Sequence, residues 1–130
     1  MTKPRPTVQG TVRRSVALTR HDDGRLLDCR VAFVDDTARV LPVGEVDLDT
    51  VTLLATRLED VRAAGAARVV LDLGETTFMD SAGLHLALAW QERARRERFA
   101  FALAQARGPV LRAIDAAGIG ASLTFVSEAP

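Results

Sequence analysis

The sequence is short of several features that commonly identify a functional class. It contains one cysteine, Cys29, in 130 residues, which excludes an internal disulfide and a multi-cysteine zinc site. Its 17 basic and 17 acidic residues leave no net charge, and 48% of the residues are hydrophobic. A balanced chain of this composition is neither a generally basic nucleic-acid binder nor an acidic disordered protein. We therefore expect one folded domain with no direct contact with nucleic acid.

Long apolar runs are also missing, and this bears on where the protein acts. No run approaches the roughly 18 residues that a membrane-spanning helix needs. The N-terminus has basic residues but lacks the apolar core of roughly 7–15 residues that a secretory signal carries. A single cysteine is compatible with a reducing compartment. Together these features predict a cytoplasmic protein without a membrane partner.

The common catalytic and nucleotide-binding motifs are absent as well. The sequence has no phosphate-binding loop ending in Gly-Lys-Ser/Thr, no Gly-x-Gly-x-x-Gly that opens a helix, and no Gly-x-Ser-x-Gly elbow. His21 and His85 are the only imidazole groups, and no spacing of histidines and carboxylates indicates a metal site. The prediction is a protein that is not an enzyme and that holds no cofactor and no metal.

The balanced charge is unevenly distributed along the chain. Residues 1–30 hold seven basic and three acidic residues, a net charge of +4, so the remaining hundred residues carry −4. The segment before residue 26 contains Pro4, Pro6 and Gly10 and little apolar content at its start. We therefore predict a partly mobile N-terminal extension over residues 1–25 and a single domain over residues 26–130.

The first half of the chain predicts β-structure. Apolar and polar residues alternate from residue 27 to 33, as in a half-buried strand. Even apolar spacing between residues 12 and 18, followed by His21-Asp22-Asp23-Gly24, adds an N-terminal strand and turn that would form a hairpin with it. A third strand is predicted at residues 39–43, where Pro42 indicates an edge strand or a bulge.

The second half alternates helices with strands. A helix capped by Asp49 or Thr50 is predicted to end near Gly65, a second runs from about residue 81 to 98, and a third begins at Gly108. Strands are predicted at residues 68–73, 99–103 and 123–126, with a loop at residues 74–80. This alternation implies parallel crossovers, and so an α/β fold.

One segment, Phe78-Met79-Asp80-Ser81-Ala82-Gly83-Leu84, lies between a predicted strand and a helix. In a purely structural interpretation, Asp80 or Ser81 caps the helix and Gly83 allows close packing. In a functional interpretation, Ser81 accepts a phosphate, which is favourable at a helix N-terminus. The modification would add about −1.5 to −2 charges beside Asp80 and disturb a partner that fits the neutral hydroxyl. Local sequence leaves both interpretations open.

Two motifs make the sequence resemble the STAS domain family, and most closely its free-standing bacterial anti-sigma factor antagonists. Gly44-Glu45-Val46-Asp47 is similar to the family's Gly-Glu-(aliphatic)-Asp signature, and Asp80-Ser81-Ala82-Gly83-Leu84 to its Asp-Ser-(small)-Gly-(aliphatic) signature. They stand about 33 residues apart with a predicted helix and strand between them. The resemblance extends from about residue 26 to 126. It implies a mixed β-sheet flanked by about three to four helices, to which the N-terminal segment would add a strand or hairpin.

The resemblance also implies a function. Such antagonists bind an anti-sigma factor that is a serine kinase; the kinase phosphorylates the motif serine and weakens the complex, and a phosphoserine phosphatase reverses this. Ser81 would be the phosphorylated residue, and we expect a monomer or weak homodimer. The residues expected to contact the partner are Glu45, Asp47, Asp80, Ala82, Gly83, Leu84 and His85. His85 departs from the family, which often has a small residue at this position.

Two other functions remain open from the sequence. The first is an unphosphorylated STAS scaffold, or a subunit of a signalling or lipid-transport complex. The second is a small serine hydrolase, because Ser81 and His85 are four residues apart and can share a helix face.

Overall fold

The computed structural model describes residues 13–20 and 26–127, with side chains from residue 27 onward. The strands are β1 (Arg13–Arg20), β2 (Leu26–Val34), β3 (Thr37–Val46), β4 (Arg68–Asp72), β5 (Thr76–Met79), β6 (Ala100–Ala104) and β7 (Phe125–Val126). The helices are α1 (Val51–Ala63), α2 (Ser81–Glu97), α3 (Gly108–Ala117) and a short 3-10 helix, Gly120–Ser122. The predictions for residues 1–12, for the His21 turn and for the last three residues lie outside the described ranges.

The strands form one mixed sheet in the order β1-β2-β3-β4-β6-β7. β1, β2 and β3 are antiparallel neighbours, whereas the pairs β3–β4, β4–β6 and β6–β7 are parallel. All eight residues of β1 pair with β2, so the predicted hairpin is present. The predicted α/β fold with a mixed sheet and an additional N-terminal strand is therefore confirmed.

Alternate residues of the sheet and one side of each helix share a single hydrophobic core. Its fully buried side chains include Leu27, Val40, Leu54, Leu58, Leu71, Leu103, Val110 and Ile114. Trp90 of α2 lies against Phe99 and Phe101, with ring centroids 5.8 Å and 6.1 Å away. Cys29 is fully buried, and this burial raises the pKa of its thiol to about 12. Both residues belong to the core.

β3 changes partners along its length. Its first part, from Thr37 to Val40, pairs with β4, and its last part, from Gly44 to Val46, pairs with β5. Pro42 lies between the two parts and faces Cys29 of β2. Its carbonyl accepts a hydrogen bond from the Thr76 hydroxyl, so the nitrogen that lacks a hydrogen also faces this junction. β3 is thus an internal strand, and proline is tolerated where no ladder bond is needed.

Two further elements differ from the sequence prediction. The predicted loop at residues 74–80 contains β5, whose four residues lack a clear apolar alternation and are defined by pairing with distant β3. The predicted strand at residues 123–126 keeps only its last two residues. Leu123 follows the 3-10 helix and is buried in the core instead.

Charged and aromatic side chains form contacts between the C-terminal halves of α1 and α2. The Arg93 guanidinium donates to Glu59 of α1 at 2.6 Å and lies 4.6 Å above the Trp90 ring. Arg62 of α1 lies 4.0 Å above the Phe99 ring. We call these contacts the helix brace; they join α1 to α2 and to Phe99, which follows α2, at the end opposite the helix N-termini.

Candidate functional site

The two sequence motifs meet where β3 and β5 end. The strands are parallel neighbours, with Glu45 paired to Phe78 and Val46 paired to Met79. Because their carboxyl ends coincide, the connections to α1 and α2 leave the sheet side by side. The Asp80 amide donates to the Val46 carbonyl at 3.1 Å and joins the second motif to the first.

Asp47 shapes the turn between β3 and α1. Its carboxylate is buried and accepts hydrogen bonds from the backbone amides of Asp49 at 3.0 Å and Thr50 at 3.1 Å. Its own amide donates to the Thr50 hydroxyl at 3.0 Å. That hydroxyl lies 2.8 Å from the Glu45 carbonyl oxygen and is itself buried. The first motif is therefore a tightly hydrogen-bonded turn that starts α1.

Asp80 links this turn to α2. It is the N-cap residue of α2, and its Oδ1 accepts a hydrogen bond from the Ala82 amide at 2.8 Å. Its Oδ2 accepts one from the Leu48 amide at 3.3 Å. The structural interpretation of Asp80 as a cap is thus confirmed, and the same carboxylate reaches the turn of the first motif.

Ser81 is the first residue of α2 and is exposed. Within the described ranges, its hydroxyl has no hydrogen-bond partner, and none joins it to His85. The position combines an accessible hydroxyl with the positive end of the α2 dipole. A hydroxyl placed in this way is accessible to an incoming phosphoryl group, and the resulting phosphate would be stabilised by the helix N-terminus.

The remaining predicted partner contacts divide by exposure. Glu45 and His85 are exposed, and Ala82 is half-buried. Gly83 and Leu84 are buried, so they support the site from beneath its surface. A methyl group on Gly83 would come within 2.5 Å of Met79 Cγ and 3.0 Å of Val46 Cγ1, which explains why α2 can lie so close to the ends of β3 and β5.

A groove opens between the N-terminal halves of α1 and α2, beside Ser81. Its volume is about 460 Å³. Val51 and Ala55 line the side formed by α1, and Ala82, His85 and Leu86 line the side formed by α2. Exposed surface around Ser81 therefore continues along both helices.

The two sequence segments that form the site carry acidic residues but no arginine or lysine. Residues 44–56 and 73–90 contain no arginine or lysine, and four of their five acidic residues lie at or after the carboxyl ends of β3 and β5. The fifth, Glu75, precedes β5, next to Gly74, whose carbonyl accepts a hydrogen bond from Arg107. The five acidic residues are Glu45, Asp47, Asp49, Glu75 and Asp80. A partner with complementary charge at this surface would be basic.

Two residues of the site were not identified from the sequence. Thr50 was predicted only as a helix cap, but its hydroxyl is bonded within the turn. The side chain of Leu48 is 77% exposed, although leucine is usually buried. An apolar residue between two aspartates in a predicted turn was the available signal for Leu48.

The described residues offer neither a membrane-spanning helix nor a metal-binding cluster. No helix there combines the length and the apolar character needed to cross a bilayer. In residues 13–20 and 26–127, no three or more histidine, cysteine, aspartate or glutamate side chains are grouped to hold a metal ion.

Several solved structures share this fold. A candidate anti-sigma factor antagonist of Thermotoga maritima has a TM-score of 0.68 at 18% identity, over 76% of this chain and 85% of its own. An anti-sigma factor antagonist of Mycobacterium paratuberculosis has a TM-score of 0.63 at 23% identity, over 92% and 88%. The antagonist SpoIIAA in its unphosphorylated form has a TM-score of 0.62 at 16% identity, over 88% and 89%. At these identities the similarity establishes the fold.

The sequence itself matches one family model. No curated protein matches the chain. The model described as "Mlab, STAS domain" matches residues 29–126, three quarters of the sequence and both motifs. The chain belongs to the STAS domain family.

Proposed function

We propose that this protein is an anti-sigma factor antagonist that binds a serine-kinase anti-sigma factor and is released when that kinase phosphorylates Ser81. The observation that carries the proposal is the position of Ser81. Its exposed hydroxyl begins α2, directly after a capping aspartate that is bonded to the other family motif. The antagonists with the same fold, including SpoIIAA, which was solved in unphosphorylated and phosphorylated forms, support this role.

In the proposed phosphoryl transfer, this chain would be the substrate. The Ser81 oxygen would attack the γ-phosphorus of ATP held by the kinase, the bond from that phosphorus to the ADP oxygen would break, and the serine proton would pass to a base of the kinase. The two carboxylate oxygens of Asp80 each accept a backbone amide and so hold the turn and the helix start together, and we assign the base to the kinase. ATP and its magnesium would therefore belong to the partner, and this chain would not act as an enzyme.

The charge change explains how the modification could end the interaction. A phosphate adds about −1.5 to −2 charges next to Asp80, between two segments that contain acidic residues and no arginine or lysine of their own. In the complex it would also lie against the phosphates of the ADP that remains on the kinase. Repulsion between these groups favours dissociation. A phosphoserine phosphatase would then restore the hydroxyl. The cycle would take place in the cytoplasm, and the antagonist would be a monomer or weak homodimer.

The experiment is a phosphorylation and binding assay with the serine-kinase anti-sigma factors of the source genome. One of them should add a single phosphate to the wild type with labelled ATP, and mass spectrometry should place it on Ser81. Ser81→Ala should bind the same kinase and gain no phosphate. Ser81→Glu should bind at least about tenfold more weakly, a change of about 1.4 kcal/mol.

The controls separate this function from the alternatives. Ser122→Ala, which removes another exposed serine, should gain phosphate like the wild type. Tight binding to a partner without any phosphate on the chain would contradict the switch and support the unphosphorylated scaffold or transport subunit. Covalent labelling of Ser81 by a serine-directed phosphonate would instead support a hydrolase.

A further inference from the structure

The two most exposed large apolar side chains in the described ranges are those of Leu48, in the turn bonded to Asp80, and Phe78, three residues before Ser81. Leu48 is 77% exposed and Phe78 is 45% exposed, whereas the other exposed large apolar residues, Val34, Leu111 and Phe125, are 38–43% exposed. A leucine that is left almost wholly in water gains little from folding. Its position therefore needs an explanation other than the stability of the core.

Hydrogen bonds fix the backbone at both residues, in the turn bonded to Asp80 and in the strand that leads to it. The Leu48 amide donates to the Asp80 carboxylate, one residue before Ser81. Met79 is buried in the core, whereas Phe78, the residue before it, is exposed, as is its pairing partner Glu45. Neither residue lies in a segment whose backbone is free to move away, because the turn and β5 are both bonded to their neighbours.

The surrounding charge indicates the kind of partner. The two segments that carry Leu48 and Phe78 contain five acidic residues and no arginine or lysine. ATP, a polyanion, must nevertheless approach Ser81 in the proposed reaction. A partner surface that meets both conditions has an apolar pocket with basic side chains around it.

We propose that Leu48 and Phe78 are the apolar anchors of the interface with the serine-kinase anti-sigma factor, and that they insert into an apolar pocket of the kinase with a basic rim. This inference rests on the proposed function and assigns the contact residues of the same site. Exposed aromatic and aliphatic anchors that become fully desolvated typically contribute most to affinity. The Asp80 carboxylate serves as a positioning group, since it holds the Leu48 turn against the start of α2.

The test measures the dissociation constant of the purified kinase that phosphorylates Ser81, by titration calorimetry with full-length variants. Leu48→Ala and Phe78→Ala should each raise Kd by about 10–100-fold. The matched controls are Leu111→Ala and Phe125→Ala, which remove the same side chains from exposed positions outside the site. They should leave Kd within about twofold. Denaturant unfolding of every variant identifies any loss of folded protein.

The outcomes distinguish this inference from the function on which it rests. If the kinase phosphorylates Ser81 in the wild type but Leu48→Ala and Phe78→Ala bind like their controls, the anchors are wrong and the proposed function stands. If no kinase binds the wild type, the proposed function is wrong, and the inference that rests on it is wrong with it. A further readout is salt: affinity for the kinase should fall as salt rises, and Glu45→Gln should reduce that dependence, because a basic rim around Phe78 would face its exposed pairing partner Glu45. Salt-independent binding would overturn the basic rim.

Discussion

The two ends of the α1–α2 pair are built differently. At the C-terminal end, the helix brace joins the helices through long charged side chains stacked on aromatic rings, with Arg93 over Trp90 and Arg62 over Phe99. At the N-terminal end, the helices are separated by a groove, and their starts are linked by backbone and carboxylate hydrogen bonds around Asp80. The brace covers Trp90, which is buried, and Phe99, which is half-buried, whereas the site leaves Leu48 exposed.

This difference separates stability from recognition within one layer of the fold. Buried aromatic area supplies much of the free energy that holds α2 on the sheet. The site contributes short hydrogen bonds that fix geometry, and it leaves apolar and hydroxyl groups for a partner. Substitutions at the two ends should therefore move different observables.

The largest effect is expected from Trp90→Ala in the brace. Trp90 is 4% exposed and contacts Phe99 and Phe101, so its removal should lower the free energy of unfolding by about 3–5 kcal/mol. Denaturant unfolding followed by far-UV circular dichroism measures this. In the folded fraction, the amide NMR shifts of Leu48 and Ala82 should stay close to those of the wild type. Large shifts at these two amides would show that the two ends are coupled, and would contradict the separation of stability from recognition.

A smaller loss of stability with a larger effect on the site is expected from Gly83→Ala. The new methyl would press on Met79 and Val46, and such overpacking costs about 1–3 kcal/mol, offset by about 1 kcal/mol of helix propensity. The start of α2 should shift, so the rate of Ser81 phosphorylation by the kinase should fall at least about tenfold, equivalent to about 1.4 kcal/mol.

Gly120→Ala is the matched control for this change, because its new methyl would only touch Ile114 Cγ2 at an ordinary 3.8 Å. It should change neither unfolding nor phosphorylation. If Gly83→Ala were phosphorylated as fast as the control, close packing under Ser81 would not matter for recognition.

The smallest effect is expected from Glu59→Gln. This removes the charge that meets Arg93 across the brace, but Arg93 keeps its contact with Glu97 at 3.1 Å and its place over Trp90. Exposed ion pairs contribute about 0.2–1 kcal/mol, and salt weakens them. The difference in unfolding free energy from the wild type should therefore shrink as salt is added. A loss above about 2 kcal/mol would mean that the charges, rather than the aromatic contacts, dominate the brace.

The sequence was informative where local patterns decide the structure. The alternation in β2, the apolar face of α1 and the cap at Asp80 all follow from residue spacing and side-chain chemistry, and all are present. β5 was missed because a four-residue strand is specified by its distant partner rather than by its own pattern. Pro42 predicted an edge strand or a bulge, because proline lacks the backbone hydrogen that a ladder bond needs. The local sequence does not indicate that β3 is internal and changes partners near this residue.

The candidate site shows the same division between local and distant information. The motifs predicted Ser81 at the start of a helix, and the structure has it there. The bond from the Leu48 amide to Asp80 joins residues 32 positions apart, and no local pattern encodes it. The burial of Leu84 beside the exposure of His85 depends on how α2 rotates onto the sheet. The roles of these residues in partner contact stay predictions.

The pairing of β3 with β5 has a consequence for when the switch becomes available. Its two halves are separated in the chain by α1 and β4, so the site depends on contacts that are distant in sequence and costly in loop entropy. A nascent or heat-unfolded chain contains the same Asp-Ser dipeptide without the neighbouring turn. A kinase that requires the assembled surface would therefore ignore unfolded antagonist, and only chains that have completed folding would enter the regulatory cycle.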